Sequence, residues 1–192
     1  MIPFDWRTNL THPAGLVEWA ASRPEADFMT LWDETIDPEW LPYLAQAGGA
    51  TREQMVSAEC AVARLCLHLI PEGEDRPRIA IETTEAWTRG EATAEQVEKA
   101  GWDAASSANA TAASFAASSF VYNATYSAAY AAYATSAAYA TSASYYTASA
   151  SALRAGIESQ VVCATIRKHL AFERPPRPKG LTIWQRLAKG DD

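Results

Sequence analysis

Runs of alternating β-branched residues bounded by turn signals are absent from this sequence, and with them the ordinary mark of a half-buried strand. Cysteine is scarce. Three residues, an odd number, with no C-x-x-C pair, exclude a secreted disulfide scaffold and a cysteine zinc site, and fit a reducing cytoplasm. The opening residues lack a basic stretch followed by an apolar one, so no signal peptide is expected. No uninterrupted apolar run approaches the roughly 20 residues that a membrane-spanning helix needs. Gly-rich phosphate loops, Ser nucleophile elbows and paired Asp motifs are missing as well. His12, His68 and His169 fall on separate expected elements, none with a second ligand at helical spacing, so neither a metal nor another cofactor is expected. A Cys66–His nucleophile has no local support, and the three thiols are expected to be inert.

Basic charge is in deficit, with a net charge of −7 over 192 residues. Residues 1–103 carry 19 acids and 8 bases, residues 104–152 carry no charge, and residues 153–192 carry 4 acids and 8 bases. An acidic body disfavours nucleic acid, whose phosphates bind clustered Lys and Arg. A basic protein surface is the better match.

The pattern divides the chain into a helical domain over residues 1–171 and a basic, Pro-rich tail over residues 172–192. Thr11 with Pro13 opens a helix carrying Leu16, Trp19 and Ala20. Ser22 with Glu25 suggests a capping box for a second, with Phe28, Leu31 and Trp32 on one face. Asp37-Pro38 starts a third, which carries Trp40, Leu41 and Leu44 and stops at Gly48-Gly49. Thr51 with Gln54 caps a core helix through Met55, Ala58, Val62, Leu65 and Leu69, ended by Pro71. Asp75 and Pro77 open the next, bearing Ile81 and Trp87 and stopping at Gly90, and Thr93 with Gln96 caps another. The expected fold is all-α, a compact bundle of short N-terminal helices packed on Ala-rich ones.

Residues 104–152 are a low-complexity tract of Ala, Ser, Thr and Tyr, without Gly or Pro. Hydroxyls every few positions argue against a membrane span, and abundant Tyr argues against disorder, which leaves helix. One helix of that length would run for roughly 75 Å, far beyond a domain of this size, so at least two packed segments are expected. Phe115, Tyr122, Tyr126, Tyr130 and Tyr133 form one stripe; Tyr139, Tyr146, Leu153 and Ile157 form another. The change of stripe predicts a break between residues 134 and 138. A blurred six-residue repeat over residues 133–147 serves no single helical face. Leu153, Ile157, Val161 and Ala164 predict a continuing amphipathic helix to about Leu170. Beyond the prolines at 175, 176 and 178, Leu181, Ile183, Trp184 and Leu187 form an apolar cluster suited to docking back on the body.

One dense polar constellation remains. Glu72, Gly73, Glu74 and Asp75 lie on a turn, followed by Arg78, Glu82, Trp87 and Glu91 on or just past a helix. It reads either as a salt-bridged surface helix or as a partner-facing acidic patch with Trp87 as anchor. Reversing the charges of Glu72 and Glu74 is expected to leave stability nearly unchanged, as exposed charges contribute little.

The run Pro71-Glu72-Gly73-Glu74-x-Arg76-Pro77-Arg78-x-Ala80-Ile81-Glu82, with Trp87 and Arg89-Gly90-Glu91-Ala92-Thr93 ahead of an Ala/Tyr tract, resembles the immunity proteins of bacterial polymorphic toxin systems. Glu18-Trp19-Ala20, Trp32 and Trp40-Leu41-x-x-Leu44 look like the N-terminal part of that family, and the resemblance spans roughly residues 6–170. It implies an all-α, cytoplasmic, non-enzymatic protein that binds and neutralises a cognate toxin, with no site residues to carry over. The Ser- and Thr-rich tract and the tail after Phe172 depart from the family's pattern. A phage or bacterial helical scaffold of unknown target is the competing expectation, and an enzyme the third.

Overall fold

At three helix starts in this chain, side chains satisfy backbone groups left over at the helix end. The computed structural model describes residues 6–11, 13–113, 128–129, 131–132 and 142–172. Among them the chain is all-α and has no strand. The helices are α1 (Trp6–Asn9), α2 (Ala14–Ala21), α3 (Phe28–Glu34), α4 (Leu41–Ala47), α5 (Arg52–Arg64), α6 (Arg76–Thr88), α7 (Ala94–Ala113), α8 (Ser142–Arg154) and α9 (Ser159–His169), with a short 3₁₀ turn at Leu67–Leu69.

Both downstream capping boxes form as the spacing predicts. Gln54 Oε1 accepts from Thr51 N at 2.8 Å while Thr51 Oγ1 accepts from Gln54 N at 3.3 Å. Thr93 and Gln96 repeat the exchange at 2.8 and 3.2 Å ahead of α7. Upstream, three starts shift. Pro13, with no side-chain cap, precedes α2 in place of Thr11. Ser22 closes α2 instead of opening α3, and the cap of α3 is Asp27, whose carboxylate accepts from Thr30 N at 2.7 Å. Asp37 and Pro38 form a turn ahead of α4, which begins at Leu41 with Pro42 in its first turn. In each case the start moves a few residues downstream, to a nearby Pro or Asp.

The centre of the bundle is α5. It packs against α4, α6, α8 and α9. Met55, Val56, Ala58, Glu59, Cys60, Val62 and Ala63 are all buried, covering about 200° of its circumference at ~100° per residue. α5 ends at Arg64 rather than running on towards Pro71; Leu65 and Leu69 still pack against the core through the tighter turn that follows.

The Ala-rich tract enters this bundle as more than one segment. α7 lies along α6, where Ala80, Ala100, Ala104, Ala105 and Ala129 form a buried seam. α8 lies along α5 and α4, with Ala148, Ser149, Ala150, Ser151 and Ala152 buried. Small residues let helix backbones approach closely, and buried hydroxyls are satisfied locally, as where Ser107 Oγ donates to Ala104 O at 2.9 Å. The expected break at residues 134–138, the hexad repeat and the Phe115 to Tyr139 aromatic positions lie outside the described residues.

The expectation of one continuous helix from the tract to Leu170 is overturned. Gly156, at φ 86°, ends the run after α8: its N–H bonds Leu153 O at 2.9 Å and Ile157 N bonds Ala152 O at 3.1 Å, a Schellman closure that favours glycine at the left-handed position. Because α9 restarts in a new direction, its inward face is Val162, Cys163 and Ile166, while Val161 and Ala164 point to solvent.

The N-terminal helices are joined to α9 by aromatic packing. Phe172 sits edge-on to Phe28 and Trp32 with ring centroids 5.0 Å away in both cases. Arg167 donates to Trp32 O at 2.8 Å and also to Thr35 O. Gly48, at the end of α4, backs directly onto this aromatic group. A Cβ there would fall 2.8 Å from Phe28 Cε2, closer still to Phe28 Cζ, and 3.0 Å from Phe172 Cε1. Gly48→Ala is therefore expected to destabilise the fold by about 1–3 kcal/mol through overpacking. Urea unfolding checks this, and a variant as stable as the parent would show that the ring cluster moves aside freely.

Candidate functional site

The turn before α6 places the acidic constellation on the surface. Gly73 adopts φ 86°, a left-handed conformation natural to glycine, with open space around it. Pro77, in the first turn, and the apolar pair Ala80 and Ile81 hold the helix down, so Asp75, Arg78 and Glu82 face water in a row. The helix then closes at Gly90.

Nearly every charge in this row has a partner. Arg78 bridges Asp75 at 2.9 Å and Glu82 at 3.1 Å, and Arg89 meets Glu91 at 2.7 Å. Arg64 grips Glu85 with two bonds of 2.7 Å, tying α5 to α6 and holding the Glu85 carboxyl below the usual range. Glu74 is paired with the Arg76 side chain and also accepts from Arg76 N at 3.1 Å. The hydrogen bonds from Arg76 hold its carboxyl below the usual range. With 18% of its side chain exposed, Glu74 is part of the start of α6, so the expectation that its charge can be reversed without structural effect applies to Glu72 alone. Glu72 is exposed and forms no ion pair among the described residues.

Trp87 is not a free anchor. It packs against the core, and the Arg52 guanidinium stands 5.2 Å from its ring centroid. The apolar element of this face is instead Ile79, 46% exposed, at the rim of a groove of about 290 Å³ between α6 and α7 that is also lined by Arg76, Thr83, Lys99 and Asp103.

Sequence reasoning passed over Glu59. It lies wholly buried in α5, where Oε1 accepts from Ser149 Oγ of α8 at 3.4 Å and Oε2 has no hydrogen-bond partner among the described residues. Burial pushes its carboxyl well above the usual carboxylate range, which the bond from Ser149 offsets in part. A signal was present: on the helical wheel Glu59 projects between Met55 and Ala63, in the middle of the apolar arc.

All three cysteines are buried and none is in a disulfide. Burial raises the Cys60 thiol above its ordinary range, with Glu85 and Glu59 adding to the effect, and it raises Cys163 as well. His68 and His169 are exposed, and His12 lies outside the described residues. Among the described residues no cluster of His, Cys, Asp or Glu is arranged to hold a metal ion, and no helix is long and apolar enough to cross a membrane. What fold and surface define is an all-α bundle presenting a charged, solvent-facing helix. No family model, curated protein or solved structure matches the chain.

Two outcomes follow from these environments. The folded Glu59 carboxyl holds its proton more tightly than the unfolded one, so its stabilising contribution is complete below the unfolded pKa of about 4.3 and is lost as pH rises towards the folded value. Glu59→Gln removes that ionisation: its melting temperature is expected to exceed the parent's at pH 8, with the gap shrinking towards pH 5. Parallel pH profiles for the two proteins would count against a buried, ionisable Glu59. In the native chain at neutral pH, Cys60 and Cys163 are expected to resist a thiol reagent until denaturant is added; labelling within seconds would contradict their burial.

Proposed function

We propose that this chain is a non-catalytic binding protein that neutralises a cognate bacterial toxin, meeting a basic protein surface with the turn and helix over residues 72–91. The observation that carries this reading is the pre-organised charge on α6. Asp75, Arg78 and Glu82 are locked in one exposed row beside Ile79, with exposed Glu72 ahead of them and in no ion pair among the described residues. Side chains already fixed by mutual ion pairs lose little freedom on binding, and an exposed carboxylate beside them attracts a basic partner from a distance. The acidic balance of residues 1–103 adds a field of the same sign. The resemblance of residues 71–93 to the immunity proteins of toxin systems supplies the class of partner.

The test is capture with the tagged chain from extracts of the source cell, then expression of the captured protein in a bacterial host. Growth arrest relieved by co-expression of this chain supports the reading. A harmless partner, or a phage structural protein, would favour the scaffold alternative. With the partner in hand, Glu72→Lys is expected to slow association several-fold at low salt and to flatten its salt dependence, without changing the melting temperature measurably. An unchanged association rate would move the interface off this face.

A further inference from the structure

A second surface lies around the loop that follows α3. Trp19 and Trp40 stand with ring centroids 5.6 Å apart and form, with Thr35, Ile36 and Asp37, a groove of about 540 Å³. Ile36 is 81% exposed on its edge, a degree of exposure that a large aliphatic side chain seldom has without a partner. Its backbone is held in place from behind. Cys163 Sγ lies 3.5 Å from Ile36 O, and Arg167 grips Thr35 O and Trp32 O, so the side chain is presented by a fixed loop. Two acids, Glu34 and Asp37, line the groove, in a stretch over residues 33–39 that carries four acids and no base; of the neighbouring cations, Arg23 is engaged by Glu34 while its guanidinium lies 4.6 Å over the Trp19 ring, and Arg167 is engaged by the carbonyls of Trp32 and Thr35.

We propose that this groove is the docking site of the chain's own residues 173–192, with the apolar cluster Leu181, Ile183 and Trp184 covering Ile36 between the two tryptophans, and Lys179 meeting the acidic rim. Three observations favour this occupant. The first is where the described chain stops: Phe172 packs on Trp32, and Ile36 follows Trp32 by four residues, at most about 14 Å of chain. The second is reach. Residues 173–180, rich in Pro, span about 25 Å when extended at ~3.1 Å per residue, enough to bring Leu181 to the groove. The third is complementarity, because residues 174–190 carry Arg174, Arg177, Lys179, Arg186 and Lys189 and no acid. Tethering raises the effective concentration of such a segment to about the millimolar range, so even weak contacts keep it bound. The inference stands apart from the reading of the 72–91 face.

Treatment of the full chain with a zero-length carbodiimide, which joins an amine and a carboxylate in ion-pair contact, tests this. The Lys99–Asp103 pair, 2.6 Å apart, serves as internal control. The expected result is a link within the monomer from Lys179 or Lys189 to Glu34, Asp37 or Glu39. That link should be lost in Trp184→Ala and in Ile36→Asp, while the control link persists. Absence of the link in the parent would overturn the proposal, as would its survival in both variants. Links between labelled and unlabelled chains in an isotope mixture would overturn it too, by making a second copy the occupant.

Discussion

The fold depends on enclosing α5 over more than half of its circumference. A helix at the edge of a domain buries a stripe of about 100°, and α5 buries about twice that, from Ala58 round to Cys60. Four helices have to reach it, so α4, α6, α8 and α9 must share one axis at close range. Large side chains on every facing surface would hold those helices apart. Uncharged, small-residue sequence is the solution, and α8 supplies Ala148, Ser149 and Ala152 where it meets α5.

Close approach has a polar consequence. Once an Ala- or Ser-lined helix covers α5, any polar atom beneath it has few partners and no water, which is the position of Glu59. Its bonding to Ser149 leaves one oxygen orphaned among the described residues, a concentrated cost inside a tightly packed region. Elsewhere buried hydroxyls avoid that cost by returning to their own helix: Thr84 Oγ1 donates to Ala80 O and Thr35 Oγ1 to Leu31 O, each at 2.7 Å.

At the surface, charge is organised at two ranges. Short range is dominated by pairing within α6 and from α5 to α6, where Arg64 and Glu85 act as a clamp between helices. Long range is set by the acidic excess that remains after pairing, concentrated ahead of α6 and around the loop that follows α3. Two exposed aliphatic side chains, Ile79 on α6 and Ile36 after α3, both sit within that acidic field.

The amino-acid sequence by itself determined the all-α class, both capping boxes, the buried faces of α3 to α6 and the stop at Gly90, because each rests on contacts within four residues along the chain. It also determined that the Ala-rich tract must fold in more than one piece, since its length exceeds any domain of this size. Tertiary structure decided the rest. It decided that α9 turns Val162, Cys163 and Ile166 inward, while the division of α8 from α9 at Gly156 is a local closure like that at Gly90. Of the candidate site, the i,i+4 pair Arg78–Glu82 was legible in the sequence, while Glu85, at i,i+4 spacing from Arg89, turned instead to Arg64 on α5. The closing of Glu74 onto Arg76 is local, two residues apart, whereas whether Trp87 is an anchor or packs against the core under Arg52 depends on neighbours brought together by folding. Glu59 is the clearest instance. Its place on the helical wheel was visible, yet its burial required α8, some ninety residues away, to lie across it.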